Sequence, residues 1–330
     1  MAGVPRFFIR SAAVGRKRVS PFSMPPPLEV GPLTGRIEIM SGIRLVTCIL
    51  FLLTVYCTSG YSQMNYILNI YDNRAPEGSP AVSDWGFSSF IEYNGRKILF
   101  DSGRRAGILK KNAETLGIDL KSVELAFLSH DHDDHVNGFD YVMQINPGFK
   151  FYLPNDHFLG GGEVMEPDAE YPRGLAYRHP NSEYVAESRE IAPGMYAIAT
   201  VSELVGRFWK YPPNEVVPEY DLMPELSLGL VNSDGTLTLI SGCSHSTIEK
   251  IIAEAKRVSG AEVSLVIGGF HMAPYPVERV EPMARTVKDD LGVMRVAPTH
   301  CTGDDAIGVF KKLYGDDCLE YMLGSRIELK

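Results

Sequence analysis

The feature that most constrains this 330-residue chain is the run Ser129-His130-Asp131-His132-Asp133-Asp134-His135. Three histidines and three carboxylates follow directly on Val123–Leu128 (VELAFL), which reads as a short buried strand. Burying that many ionisable groups is costly unless something compensates them, and a bound metal is the economical compensation. The C-terminal end of such a strand is also where α/β sheets place their ligands. In an extended segment alternate residues share a face, so His130 and His132 can point the same way, while Asp134 and His135 reach a second position as the backbone turns into a helix. The spacing therefore predicts a two-metal loop, with ions about 3.5–4 Å apart as in binuclear hydrolases.

The alternative reading, a solvated histidine-rich loop, fails on the rest of the chain. Six of its eight histidines lie in four short motifs, each just after an apolar strand: the run above, Gly242-Cys243-Ser244-His245, Gly268-Gly269-Phe270-His271 and Pro298-Thr299-His300-Cys301. Imidazole with carboxylate suits zinc, iron or manganese, and zinc is the expected ion at both positions.

The H-x-H-x-D-H run, preceded by Ile98-Leu99-Phe100-Asp101-Ser102-Gly103, resembles the metallo-β-lactamase superfamily over about residues 66 to 330. Gly-Cys-Ser-His, Gly-Gly-Phe-His and Thr-His-Cys-Thr-Gly, in that order, are similar to the branch named for 7,8-dihydropterin-6-methyl-4-(β-D-ribofuranosyl)aminobenzene-5′-phosphate synthase. The resemblance implies that His130, His132 and His245 hold one metal, and that Asp134, His135 and His300 hold the other. It also implies that Asp101 orients a metal histidine. Relatives such as glyoxalase II carry a bridging Asp where this chain has Cys243, so either a thiolate bridges here or the bridge is missing. His271 is left between ligand, proton donor and substrate contact, with Asp131, Asp134 and His271 as the candidate catalytic groups. The implied chemistry is hydrolysis of a small ester, lactone or phosphoester. The alternatives are pterin-type condensation from a dihydropterin diphosphate, or metal or ligand binding without turnover.

The segment before the domain reads as a leader. Leu45–Cys57 is an uncharged apolar run after Arg44, too short for the about 20 residues of a membrane-spanning helix. Small residues Gly60 and Ser62 follow it, as in a secretory signal peptide over 40–62 with export to the periplasm or cell exterior. Residues 1–39 read as a disordered extension or a mis-assigned start, and a lipid anchor at Cys57 is the lesser alternative. Residues 1–62 hold seven basic and two acidic side chains, so the remainder is five charges more negative than the −9 of the whole chain. A small-molecule substrate is expected, and nucleic acid is disfavoured, because a phosphate-backbone binder needs clustered Lys and Arg. After the leader only Cys243, Cys301 and Cys318 remain, an odd number that makes no disulfide framework.

From Tyr66 the pattern is strand, ligand loop, helix, in both halves of the chain, which predicts a four-layer αββα sandwich of the α/β (α+β) class spanning 63–330. The expected elements include helices over 104–116, 136–144, 246–258 and 277–291. Residues 154–224 lack clear periodicity and read as an insertion or cap, whose aromatics Tyr184, Phe208, Trp209 and Tyr211 could stack on a substrate ring. His157 and His179, in the same stretch, read as surface or packing residues.

Overall fold

The computed structural model describes residues 65–156, 159, 179–202 and 223–330. The leader and extension expected over 1–62 lie outside the described residues, as do His157, Phe208, Trp209 and Tyr211. Among the described residues no helix is long and apolar enough to cross a membrane.

The first half opens as an antiparallel meander of β1 (Tyr66–Asp72), β2 (Phe87–Tyr93) and β3 (Arg96–Phe100). The β2–β3 turn is Asn94-Gly95, with φ of 50° and 78°, the pair of positive φ values that a tight hairpin requires. Helix α1 (Ala106–Thr115) then crosses to β4 (Leu125–Phe127), which lies parallel to β3. Two short helices, α2 (Asp133–Val136) and α3 (Phe139–Ile145), lead to β5 (Lys150–Pro154), and β6 (Ser182–Val185) adds at the edge. The second sheet runs antiparallel through β7 (Arg189–Ala192), β8 (Met195–Ser202), β9 (Met223–Val231) and β10 (Leu237–Ser241). It becomes parallel through β11 (Val263–Gly269) and β12 (Arg295–Thr299), after crossovers by α4 (Ile248–Ser259) and α5 (Val277–Arg285). Following α6 (Asp304–Tyr314), β13 (Arg326–Glu328) returns to pair with β1.

The result is a seven-stranded sheet, β13-β1-β2-β3-β4-β5-β6, facing a six-stranded sheet, β12-β11-β10-β9-β8-β7. Residues of both sheets, among them Phe87, Phe100, Phe127, Leu226, Leu228, Ile240 and Ile267, fill one apolar layer between them. A second cluster seats Leu109, Phe139 and Val142 on the outer face of the first sheet, and a third seats Ile251, Val280 and Phe310 on the second. Each amphipathic helix thus buries one face, and the layers are αββα as the alternation of strands and helices predicts.

Two expectations need correction. Within the stretch read as an insertion, residues 182–202 are β6, β7 and β8, integral to both sheets. The periodicity that would have revealed them is blurred because β6 and β7 are edge strands, with burial mixed along both faces. The helix expected over 277–291 is regular only to Arg285 and ends in a wide π-type turn over Thr286–Asp290. Pro282 removes one backbone donor in the preceding turns.

The consequence for function is positional. The loops after β4, β10, β11 and β12 all leave the C-terminal ends of parallel strands, and the backbone N–H of Leu226 donates to the Ser129 carbonyl at 2.7 Å, tying the second sheet to the first metal-motif loop.

Candidate metal centre

The four loops bring six histidines, one aspartate and two cysteines into a buried cluster. Ligand atoms of His130, His132 and His245 lie within 4.8 Å of one another, and so do those of Asp134, His135 and His300. These are the two triads that the sequence resemblance implies. Cys243 belongs with His130 and His135 in one further group, with His245 and His271 in another, and with His300 and Cys301 in a third. Its Sγ is 3.1 Å from His135 Nε2. The thiol thus stands between the two triads.

Proton bookkeeping shows what the cluster is shaped to hold. Asp101 Oδ2 accepts from His135 Nδ1 at 2.6 Å and from Ser129 Oγ at 2.8 Å, while its Oδ1 accepts from the Ser129 N–H at 2.7 Å. Because the Ser129 hydroxyl proton is committed to Asp101, its oxygen accepts from His130 Nδ1, 2.7 Å away. Asn73 Oδ1 accepts from His300 Nδ1 at 2.9 Å. Three neighbours therefore accept from Nδ1 of three histidines and turn three Nε2 atoms into the cluster. His130 Nε2 lies 3.0 Å from His132 Nδ1 and 3.2 Å from His245 Nε2, while His300 Nε2 lies 3.4 Å from Asp134 Oδ2. Asp134 Oδ1 is buried with no hydrogen-bond partner among the described residues. Converging imidazole lone pairs, a buried carboxylate oxygen and a thiol make a donor set that fits divalent cations.

Electrostatics agree. Burial, reinforced by the neighbouring imidazoles, pushes His130 and His245 well below the usual histidine range, so both are neutral, as a metal ligand must be. Burial alone would raise Asp134, but His135 and His300 outweigh it and hold the carboxylate ionised. Burial would lower His135, but Asp134 and Asp101 push it up to about 9. Positive charge is thus drawn to the Asp134 side even before an ion is considered.

The backbone is strained here. Of the non-glycine residues with positive φ among those described, Ser244, Thr247, His271 and His300 lie in these loops, at 59°, 72°, 50° and 52°, and Asp101, just after β3, stands beside them at 56°. Such conformations cost about 1–3 kcal/mol each and persist where the surroundings over-determine them. Glu225, buried on β9, helps to do so by accepting from the backbone N–H groups of His245 and Ser246, both at 3.0 Å.

Each residue expected at the site is placed in or beside this cluster. Asp131 is buried in the same loop, whereas Asp133 turns outward to Arg104 at 3.2 Å. The His271 ring packs 4.1 Å from that of His245, between centroids. Away from the site, His179 stacks on Phe149 at 4.5 Å and Tyr184 Oη donates to the Leu159 carbonyl, so both have packing roles. Sequence reading missed Asn73, Trp85 and Glu225. Glu225 alone carried a signal, the one charged residue in the largely apolar β9 (MPELSLGLV). Trp85, 37% exposed, sets its ring 5.2 Å from His300, between centroids, and forms a wall of the site.

An Asp101→Asn protein is expected to keep its fold but bind metal about 10- to 100-fold more weakly, because an amide has one accepting oxygen where Asp101 uses two to take three hydrogen bonds from Ser129 and His135. Metal titration monitored by calorimetry checks this, and undiminished affinity would remove Asp101 from its orienting role.

Comparison with known proteins gives a consistent picture. A model of the metallo-beta-lactamase superfamily matches residues 86–253. A curated protein of Methanocaldococcus jannaschii, named 7,8-dihydropterin-6-methyl-4-(beta-D-ribofuranosyl)-aminobenzene-5'-phosphate synthase, is 28% identical over 277 residues, covering 76% of this chain and 92% of that protein. A ribonuclease Z of Clostridium botulinum is 34% identical over 68 residues, 21% of either chain. Among solved structures, Tm1679, described as a metal-dependent hydrolase of the beta-lactamase superfamily, superposes with a TM-score of 0.63 at 25% identity, covering 80% of this chain and 99% of that one.

Proposed function

The chain belongs to the metallo-beta-lactamase superfamily, a generally metal-dependent one, and on that premise we propose that it is an exported hydrolase that holds two divalent ions, zinc by preference, and acts on a small ester, lactone or phosphoester. The observation that carries this reading is the pair of buried triads with Cys243 between them. Two such ions, when bound, would lower the pKa of a water toward about 7 and polarise the oxygen under attack.

The chain's own residues divide the remaining work. His130, His132 and His245 hold the first ion, and Asp134, His135 and His300 the second. Asp101, Ser129 and Asn73 aim three of those rings through the hydrogen bonds described above. We assign to His271, beside His245, the donation of a proton to the leaving group, and to Asp131, buried in the first histidine loop, the role of base. Trp85 offers its exposed ring to an aromatic portion of the substrate. Export rests on the apolar run Leu45–Cys57 and the small residues after it. The acidic balance of the remaining chain favours a small-molecule substrate over nucleic acid.

A second reading, condensation on a pterin diphosphate, is favoured by one observation: the likeness to the synthase of M. jannaschii extends over nearly the whole of that protein. There the ions held by the same donors would bind a diphosphate leaving group instead of an attacked ester. The first experiment is elemental mass spectrometry of protein purified without chelator, followed by a screen of phosphoesters, lactones and a dihydropterin diphosphate. About two equivalents of zinc with hydrolytic turnover support the first reading. Turnover of the diphosphate alone moves the assignment to the second, and a protein with no bound metal defeats both.

Removing the ions is expected to lower the melting temperature, since a ligand at about 100-fold excess over its Kd stabilises by ~2.7 kcal/mol. Scanning calorimetry with and without chelator checks this, and equal melting temperatures would mean that the clustered nitrogens need no cation. Trp85→Ala is expected to raise KM about 2- to 10-fold for aryl substrates and to leave alkyl substrates unchanged, given that stacking pairs contribute roughly 0.5–1.5 kcal/mol. An equal effect on both classes would argue for a purely structural indole.

A further inference from the structure

We propose that Cys301 is a further metal ligand, forming with Cys243 a thiolate pair on the His300 side that makes the centre prefer thiophilic ions, zinc or ferrous iron, over manganese or magnesium. This rests on the metal reading above and adds to it a residue and a selectivity that the two triads alone do not supply.

The ordinary role of a buried cysteine is that of a small apolar core residue, and Cys318 shows it. It sits in the apolar cluster under α6, and burial pushes its thiol up to about 11. Cys243 and Cys301 are as buried, each 3% exposed, yet neither belongs to any of the three apolar clusters. Their neighbours are polar and metal-competent. The two Sγ atoms and a ring nitrogen of His300 all lie within 4.8 Å of one another, and Cys301 Sγ is 3.6 Å from the Cys243 carbonyl.

The surrounding chain is shaped around these sulfurs. A Cβ on Gly269, at the end of β11, would fall 2.6 Å from Cys301 Sγ and 2.4 Å from the Gly242 carbonyl oxygen. Only a glycine there leaves room for the thiol to reach the cluster. His300, at φ 52°, begins the short 3₁₀ turn His300–Thr302, and consecutive residues 300 and 301 both turn inward. That conformation is expensive for a histidine, and it brings two donor side chains, not one, to the same point. Soft thiolate ligands select zinc and iron, whereas magnesium and manganese prefer oxygen donors. With Cys243 where glyoxalase II has its bridging Asp, and Cys301 beside it, this centre is softened on one side.

Cobalt(II) reports sulfur ligation directly, because a thiolate bound to it gives near-ultraviolet charge-transfer absorption while histidine and carboxylate ligands contribute visible ligand-field bands. The protein, stripped with chelator under reducing conditions, is titrated with cobalt and compared with Cys301→Ser, Cys301→Ala, Cys243→Ser and Cys318→Ala. The expected result is a charge-transfer band that falls by about half in either Cys301 variant and in Cys243→Ser, and is unchanged in Cys318→Ala. Competition is expected to show zinc-over-manganese preference reduced about 10-fold in the Cys301 variants, within the range for loss of a residue supporting a metal site. A full-strength band and unaltered preference in both Cys301 variants, with folding verified by circular dichroism, would overturn the proposal. A parent protein with ligand-field bands and no charge-transfer band would also overturn it while leaving the two-metal hydrolase intact. Absence of both kinds of band would instead bring down the metal reading on which it stands.

Discussion

An Asp134→Ala protein is expected to fold, to retain about one of two ions, and to lose at least about 10²–10³-fold in kcat/KM, the range seen when one preorganised electrostatic group is removed from an active site. Asp134 is the single carboxylate of its triad, and it faces His300 Nε2 at 3.4 Å and His135 Nε2 at 3.7 Å through the same Oδ2. Neither Asp101 nor Asp133 can replace it, because Asp101 is committed on both oxygens to Ser129 and His135 and Asp133 points outward to Arg104. The three histidines of the other triad remain, so one ion is retained. Asp134→Asn keeps the shape and removes the charge, and is expected to behave the same way. Two ions per chain in either variant would show that the second ion is held by other groups.

Gly242→Ala is expected to act as strongly without touching a donor atom. A Cβ at 242 would lie 2.1 Å from Ser129 Oγ and 2.8 Å from Asp101 Oδ2. Those atoms carry the hydrogen bonds that orient His130 and His135, and the Gly242 carbonyl also accepts from the Gly269 N–H at 3.1 Å. Relief of the clash must therefore move one orienting hydrogen bond or separate β10 from β11. Overpacking of this kind costs about 1–3 kcal/mol, equivalent to roughly 2–10 °C in melting temperature for a domain of this size. Both metal content and activity are expected to fall, because the displaced groups serve both triads. A melting temperature and metal content like those of the parent would mean that the loop has slack that its contacts do not suggest.

The site was largely legible because its chemistry is local. His130, His132, Asp134 and His135 occupy one loop, and His245 and His300 follow apolar strands whose ends are plain in the sequence. The layered fold was legible for the same reason, since strand, loop and helix recur with ordinary periodicities. What escaped was set by partners distant in sequence. Asn73 orients His300 across 227 positions, and nothing near Asn73 announces it. Trp85 looks like any surface aromatic until β2 brings it beside His300. Strands β6 and β7 were hidden because short edge strands expose part of both faces and lose the alternation by which strands are recognised. The role of Cys301 was open for a related reason: a cysteine beside a histidine reads as a site residue, but only the space cleared by Gly269 shows where its sulfur goes.

The two triads are assembled across long stretches of chain, with His130 meeting His245 over 115 positions and His135 meeting Cys243 over 108. Contacts of such separation form late, after the closure of large loops has been offset by packing of both sheets. During synthesis the first histidine loop emerges well before β10 to β12 exist, so the growing chain offers an incomplete chelate that discriminates poorly among cations. On the two-ion reading, both triads would be complete only once the second half of the chain has folded. Which ion such a centre took up would then depend on the metals available where folding finishes as much as on intrinsic affinity. Protein refolded in a test tube and protein matured in a cell can therefore carry different metals on identical coordinates.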